Sequence, residues 1–333
     1  METRSIKTLL ALYICLSIFI SQSWSQSAAP LSTSKPLKGE GLYSFLKRHE
    51  LNDTDHKTLF LELNKGKFGK DNALLAHQAY TLPATAIELH EPLFGKEREH
   101  YPLESDIMKD AVFYLVNGHG GPDPGAIGNY GKHELHEDEY AYDITLRLAK
   151  KLRENGAKVH LVIQDEDDGI RDDRILTYDN HETCMGATIP LDQKQRLKQR
   201  TLKINELYNK DTEAYRRCLI LHLDSRSTRK QIDVFFYHHQ KSKSGAHLAK
   251  VLRQTFENKY NKHQPTRGFS GTVSDRNLYI LRNTTPVSVF VELGNIQNFR
   301  DQQRFIIADN RQAVANWLYE GIKKDFYQKH KNK

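Results

Sequence analysis

The stretch AVFYLVNGHGGPDPGAIG (residues 111–128) joins an apolar run to a glycine-rich loop that carries one histidine. The run 111–116 has the length and composition of a buried strand. Glycine lets the backbone turn sharply and come close to a ligand. We therefore predict that His119 stands at the end of a buried strand, with space beside its ring for a ligand.

Apolar strands alternate with amphipathic helices from this stretch to the C-terminus. The spacing of Ile144, Leu148 and Leu152 predicts a helix over 139–156, which ends at its glycine. Further strands are predicted over 157–165, 217–225, 232–239 and 287–295, and further helices over 194–210, 244–260 and 301–329. The alternation predicts an α/β fold, a twisted and mostly parallel sheet with helices on both faces.

The first 110 residues are organised differently. A basic start, the apolar run TLLALYICLSIFI and the small residues after it predict a signal peptide over 1–25, with an uncleaved membrane anchor as the alternative. The segments predicted after it are a linker over 26–38, a small α+β module over 39–84, an irregular charged connector over 85–110 and a catalytic domain over 111–330.

Composition narrows the classes of function. The chain has 333 residues, of which 38% are hydrophobic and 27% charged, as expected for a folded protein. Its formal charge of +7 comes without a basic cluster that interleaves with aromatic residues, which argues against nucleic acid as a partner. After signal cleavage we expect no membrane partner. Cys184 and Cys218 then remain, and their pairing stays open.

Polar residues stand at the ends of three predicted strands, where the sites of α/β sheets gather. They are His119, His222 and Glu292. The segment HELHEDEYAYD (133–143) adds four carboxylates at the start of a helix, Glu134, Glu137, Asp138 and Glu139. Two histidines and one carboxylate can hold zinc, and a second carboxylate can move protons. A purely structural role for each histidine stays open, as does a site role for His136 or His181.

Several ordered blocks resemble the zinc-dependent N-acetylmuramoyl-L-alanine amidases of the type-3 family. The blocks are NGHGGPDPGAIG, EDEYAYDITLRLAKKLRENGAKV, LILHLDS and RNLYILRNTTPVSVFVELGNIQN. The resemblance runs from about Ala111 to the C-terminus. It implies a Zn²⁺ cofactor and hydrolysis of the bond between the lactyl group of muramic acid and the L-alanine of the stem peptide in peptidoglycan.

The resemblance also implies roles for single residues. His119, Glu137 and His222 match the zinc ligands of the family, and Glu134 is the weaker alternative to Glu137. Glu292 matches the catalytic glutamate.

Three further residues are expected to contact the substrate. Arg276 and Arg282 lie where the family has basic residues near its site, and Asp224 stands where the family has asparagine. The long irregular segment 168–192, here called the insertion, is not typical of the minimal family domain. Some family members carry an inserted helix that blocks zinc until a protein activator removes it, and we hypothesise the same role for the insertion.

The module 39–84 resembles LysM modules, which bind glycans such as peptidoglycan, through GEGLYSFLKRHEL, FLELN and AYTLP. A small helical domain without glycan binding is the alternative. Together these resemblances predict an exported amidase in the periplasm, the extracellular space or the cell wall. The competing functions are a catalytically silent wall-binding protein and a zinc peptidase with another substrate.

Overall fold

The computed structural model describes residues 32–49, 51–52, 54–83 and 88–331. The chain divides into two compact units, Met1–Thr85 and Ala86–Lys333. The predicted signal peptide over 1–25 lies outside the described residues. No helix in the described part of the chain is long and apolar enough to cross a membrane.

The first unit is a two-stranded antiparallel sheet with two helices. Its elements are β1 (Thr33–Ser34), α1 (Leu42–Arg48), α2 (Thr54–Leu63) and β2 (Tyr80–Thr81). The rings of Phe45, Phe60 and Tyr80 pack together in its core. The buried Asn64 amide donates to the carbonyls of Phe60 and Thr81, which ties the end of α2 to β2. The sequence predicted a linker over 26–38, but β1 lies inside that range.

The second unit contains one large sheet and three short strand pairs. The strands of this unit are β3 (Glu88–His90), β4 (His100–Pro102), β5 (Ala111–Asn117), β6 (Ile127–Tyr130), β7 (His133–His136), β8 (Lys158–Leu161), β9 (Thr183–Cys184), β10 (Ala187–Thr188), β11 (Tyr215–Asp224), β12 (Phe235–His238), β13 (Thr272–Asp275) and β14 (Val287–Asn295). Its helices are α3 (Glu137–Glu154), α4 (Gln193–Lys210), α5 (Lys243–His263), α6 (Tyr279–Asn283), α7 (Phe299–Ile306) and α8 (Ala308–Lys331).

Six strands form one sheet in the order β13-β12-β14-β11-β5-β8. Every neighbouring pair is parallel except β12 and β14, which are antiparallel. Alternate residues of β5 point to opposite faces: Phe113 and Leu115 join the core with α3, α5 and α8, whereas Val112 and Tyr114 join the core with α4 and α6. The predicted α/β class with helices on both faces is confirmed.

Two segments differ from the sequence prediction. The connector predicted over 85–110 contains the antiparallel pair β3–β4. From Ala86 on it belongs to the second unit, and its Phe94 and Tyr101 side chains are buried in the core of that unit. The loop before α3 contains the antiparallel pair β6–β7, which turns at Gly131 with a φ of +62°.

The insertion is anchored to helices α3 and α8. The Arg311 guanidinium is fully buried, donates to Asp143 at 2.6 Å and also donates to the carbonyls of Arg171 and Asp173 in the insertion. The pair β9–β10 closes the insertion before α4. Cys184 and Cys218 are both buried free thiols.

Candidate metal centre and active site

The glycine-rich loop brings the ring of His119 to the carboxyl end of the sheet. β5 ends at Asn117, and the Gly118 amide donates to the carbonyl of Leu221 at 2.7 Å. A Cβ atom at Gly118 would lie 2.2 Å from the ring of His222, so only glycine fits there. His119 itself has a left-handed φ of +64°, which aims its ring across the loop.

Glu137 is the first residue of α3, and backbone amides hold its carboxylate in place. The amides of Ala126 and Leu223 donate to Oε2 at 2.8 Å and to Oε1 at 3.0 Å. The side chain is only 4% exposed. A carboxylate that is fixed by one amide of a loop and one amide of strand β11 can serve as a rigid ligand.

His119, Glu137 and His222 converge. Nε2 of His119 lies 3.3 Å from Oε2 of Glu137, and Nδ1 of His222 lies 2.8 Å from Oε1 of the same carboxylate. One ligand atom from each residue lies within 4.8 Å of the others. Three elements that are distant along the chain, the loop after β5, the start of α3 and the end of β11, therefore meet at one point.

A shell of further residues orients these three. Nδ1 of His119 is hydrogen-bonded to Asp123 at 2.9 Å, and Arg196 on α4 pairs with the same carboxylate at 2.5 Å. Arg200 donates to the carbonyl of His119. The ring of Phe290 stacks on His222 at 4.4 Å between centroids. None of these four residues was predicted from the sequence, although Asp123 stands only four residues from His119.

The electrostatics of the cluster favour a cation at its centre. Burial alone would lower the pKa of His119, but its hydrogen bonds to Asp123 and Glu137 outweigh burial and raise this pKa to about 10. Burial alone would raise the pKa of Glu137, but the two histidines lower it instead. The acidic groups thus hold a positive charge on the His119 ring when no metal shares the cluster.

The donor set fits zinc. Two imidazole nitrogens and one carboxylate oxygen are the ligands of catalytic zinc sites with an open position. The hydrogen bond between Nδ1 of His119 and Asp123 turns Nε2 toward Glu137, and a carboxylate on the other ring nitrogen is usual for a histidine that binds a metal. A second group of such donors, His90, Glu99 and His100, lies on the β3–β4 hairpin, where both rings are more than half exposed.

Glu292 lies next to this cluster on β14. It is paired in register with His222 across the parallel strands β11 and β14. Among the described residues its Oε2 atom is buried and has no hydrogen-bond partner. Burial, reinforced by the nearby charges of Glu137 and Asp224, raises the pKa of Glu292 to about 8.

The three predicted substrate residues have different surroundings. Asp224 ends β11, forms an ion pair with Arg226 at 2.6 Å, and contributes to the field at Glu292. Arg276 stacks over the ring of Tyr237, whose pKa is raised by burial and then by Glu292. Arg282 contacts Asn277 and the ring of Tyr279 on its own segment, and among the described residues it has no recorded contact with the cluster.

The remaining candidates do not belong to the group of His119, Glu137 and His222. Glu134 is exposed on β7 and faces His136, whose ring stacks on Tyr178. His181 is exposed and pairs with Asp167. Glu182 accepts from the Gly121 amide at 2.8 Å. No side chain in the described part of the insertion is hydrogen-bonded to His119, Glu137 or His222.

The fold and this cluster define an α/β protein with a candidate hydrolytic metal centre at the carboxyl edge of its sheet. Residues 114–324 match the type-3 amidase family, described as N-acetylmuramoyl-L-alanine amidase, and the chain belongs to this family. The predicted family is therefore confirmed.

The chain is similar to several individual proteins. The germination-specific N-acetylmuramoyl-L-alanine amidase of Bacillus subtilis (strain 168) is 24% identical over 226 residues, which are 67% of this chain and 82% of the relative. The chain is also similar to the structure of the amidase AmiC2 of Nostoc punctiforme, with 22% identity, 66% of this chain and 99% of that chain covered, and a TM-score of 0.47. It is similar as well to the structure of the CwlD amidase from Clostridioides difficile in complex with the GerS lipoprotein. The identity is 20%, the match covers 65% of this chain and 98% of that chain, and the TM-score is 0.48.

Proposed function

We propose that this chain is an exported, zinc-dependent amidase that remodels the bacterial cell wall or separates cells. It hydrolyses the amide bond between the lactyl group of muramic acid and the L-alanine of peptidoglycan stem peptides. One observation carries the proposal: in a chain of the amidase family, His119, Glu137 and His222 converge beside the buried carboxyl group of Glu292.

The side chains divide the chemical work between them. Zinc, when bound, would polarise the scissile carbonyl and lower the pKa of the attacking water. His119, Glu137 and His222 would hold the ion, and Asp123 would fix the His119 ring with Nε2 directed toward the centre of this group. Glu292 accepts the proton of the water at its unpartnered Oε2 and passes it to the departing alanine nitrogen. Asp224, whose charge acts on Glu292, and Arg276, which stacks on Tyr237, contact the glycopeptide, and so does Arg282.

The first unit supplies wall binding in this proposal. Its order of strand, helix, helix and strand supports the resemblance to LysM modules. We expect the full chain to sediment with insoluble peptidoglycan, and a chain that starts at residue 86 to remain in the supernatant. Equal sedimentation of both chains would show that the module is a helical domain without glycan binding.

Control by a protein activator remains a further prediction. The insertion contacts the glycine-rich loop at Gly121. The Glu182 carboxylate accepts a hydrogen bond from the Gly121 amide, and the side chain of Ile189 lies close to the same glycine. If the insertion restrains the loop, removing residues 168–192 raises turnover on peptidoglycan. Unchanged or lower turnover in a folded deletion variant would count against control by the insertion.

Product analysis tests the proposal directly. The zinc-loaded full chain is incubated with purified peptidoglycan, and the soluble products are identified by mass. An amidase leaves intact glycan and releases peptides with L-alanine at their amino end. Glu292→Gln is the matched control, because it keeps the shape of the side chain and removes its proton acceptor.

Other products separate the competing functions. Peptides cut at an internal bond would identify a zinc peptidase, and a zinc-loaded wild type that releases nothing would identify a silent binding protein. Either result would refute the proposal.

A further inference from the structure

Three carboxylates with too little compensating charge lie beside the candidate zinc centre. They belong to Asp138, Glu139 and Glu182, and one oxygen of each lies within 4.8 Å of the others. All three residues are buried, with exposed fractions of 0%, 2% and 5%. Because a buried carboxylate loses its hydration, each requires a hydrogen-bond donor or a cation.

The hydrogen bonds account for only part of this requirement. Arg171 donates to Oε2 of Glu139 at 2.7 Å, and the Asp179 amide donates to Oε1. Oε2 of Glu182 accepts from the amide of Gly121. Within the described residues no lysine or arginine forms an ion pair with Asp138 or Glu182. Arg171 is thus the one guanidinium paired with this group among the described residues, and it is shared with Asp168.

One oxygen of Asp138 has no partner at all. Its Oδ1 accepts from the Glu139 amide at 3.0 Å, whereas its Oδ2 is fully buried and unpartnered among the described residues. A fully buried, unpaired carboxylate oxygen beside two further carboxylates is the arrangement that a cation completes.

We infer that Asp138, Glu139 and Glu182 form a second metal site, which takes a hard divalent cation, Ca²⁺, and is separate from the candidate zinc centre. The donors are all oxygen atoms, which suit Ca²⁺ and Mg²⁺ rather than zinc.

Burial of the three carboxylates favours Ca²⁺ over Mg²⁺. Mg²⁺ gives up its waters reluctantly and usually keeps several of them, whereas Ca²⁺ accepts a site built from protein oxygens. A divalent charge also offsets the carboxylates of Asp138 and Glu182, for which no ion pair is found among the described residues.

The position of the site gives the cation a structural role. Glu182 belongs to the insertion, and Asp138 and Glu139 follow Glu137 in the first turn of α3. Glu182 also holds the Gly121 amide of the glycine-rich loop. A bound Ca²⁺ therefore joins the insertion to the helix that carries a candidate zinc ligand, and it stabilises the loop around His119.

Calcium binding to the zinc-loaded full chain tests the inference. Buffers are cleared of calcium by a chelating resin, so that no soluble chelator removes the zinc. Titration calorimetry with CaCl₂ is expected to give one site per chain, and thermal unfolding a midpoint that rises with CaCl₂. MgCl₂ is expected to bind at least tenfold more weakly.

Matched variants locate the site. Asp138→Asn and Glu182→Gln keep the side-chain shapes and are expected to weaken Ca²⁺ binding at least tenfold, with the zinc content unchanged. Glu134→Gln, which removes an exposed carboxylate nearby, is expected to behave like the wild type. Equal Ca²⁺ binding by all four proteins would place the ion elsewhere and overturn the inference.

A protonated Asp138 is the competing explanation, and the same experiment separates it. Asparagine mimics the neutral acid, so in that case the wild type binds no Ca²⁺ at millimolar concentration and Asp138→Asn is at least as stable as the wild type. If neither variant folds, the Ca²⁺ stoichiometry of the wild type by equilibrium dialysis decides: one ion supports the site, and none overturns it.

Discussion

Replacement of Gly118 by alanine tests how the glycine-rich loop builds the metal centre. A Cβ atom there would lie 2.2 Å from Cε1 and 2.3 Å from Nδ1 of the His222 ring. Ordinary contact begins at 3.4 Å, so the ring must move by about 1.2 Å. Bond lengths at a metal site hold to within about 0.2 Å, and the moved ring can no longer serve as a ligand.

We expect Gly118→Ala to cause a large loss of zinc affinity and a moderate loss of stability. Removal of a residue that only orients a ligand costs about 10–100-fold in metal affinity, so displacement of a ligand costs at least about 100-fold. Overpacking costs about 1–3 kcal/mol in the free energy of unfolding. Zinc affinity is measured by competition with a chromophoric chelator, stability by denaturant unfolding, and turnover by release of stem peptides.

Gly131→Ala is the matched control for this substitution. Gly131 has a φ of +62° and open space around its missing side chain, so alanine strains the backbone there by about 1–2 kcal/mol without touching the metal centre. Both variants should unfold more easily, and only Gly118→Ala should lose zinc. Wild-type zinc affinity in Gly118→Ala would refute the steric reasoning.

Three other substitutions separate binding, proton transfer and stability. Asp123→Asn should weaken zinc binding about 10–100-fold, because the amide cannot hold the His119 ring as a carboxylate does; unchanged affinity in the chelator competition would contradict this. Glu292→Gln should keep one zinc per chain and lose about 10²–10⁴-fold in turnover, as judged by metal analysis and peptide release; near-normal turnover would exclude Glu292 as the proton carrier. Arg311→Met should cost about 3–5 kcal/mol in unfolding free energy, because it leaves Asp143 and two insertion carbonyls short of a donor, whereas the exposed Arg300→Met should cost almost nothing; equal unfolding curves would contradict the anchoring of the insertion.

The positions of site residues on strands and helices could be predicted from the sequence. Periodicity placed His222 and Glu292 at the ends of apolar strands and the four carboxylates of 133–143 at the start of a helix, and the family resemblance singled out Glu137. Periodicity carries no information on register, so the pairing of His222 with Glu292 across β11 and β14 appears only in three dimensions. The same holds for Arg196, which reaches Asp123 from 73 residues away along the chain.

Short strands were the main failure of the prediction. β1 has two residues, and β3 and β4 have three each, too few to show an alternating pattern. Their pairing is decided by the packing of Phe45, Phe60 and Tyr80 in one unit and of Phe94 and Tyr101 in the other. For so short a segment, tertiary contacts have more influence than local β-propensity on whether a strand forms.

The position of zinc in a crystal, located by anomalous diffraction at the zinc edge, tests the central claim most directly. We predict one strong peak about 2.0–2.2 Å from Nε2 of His119, a carboxylate oxygen of Glu137 and Nδ1 of His222. A zinc-loaded crystal whose only peak lies on the exposed group of His90, Glu99 and His100, or one without any peak, would contradict the claim.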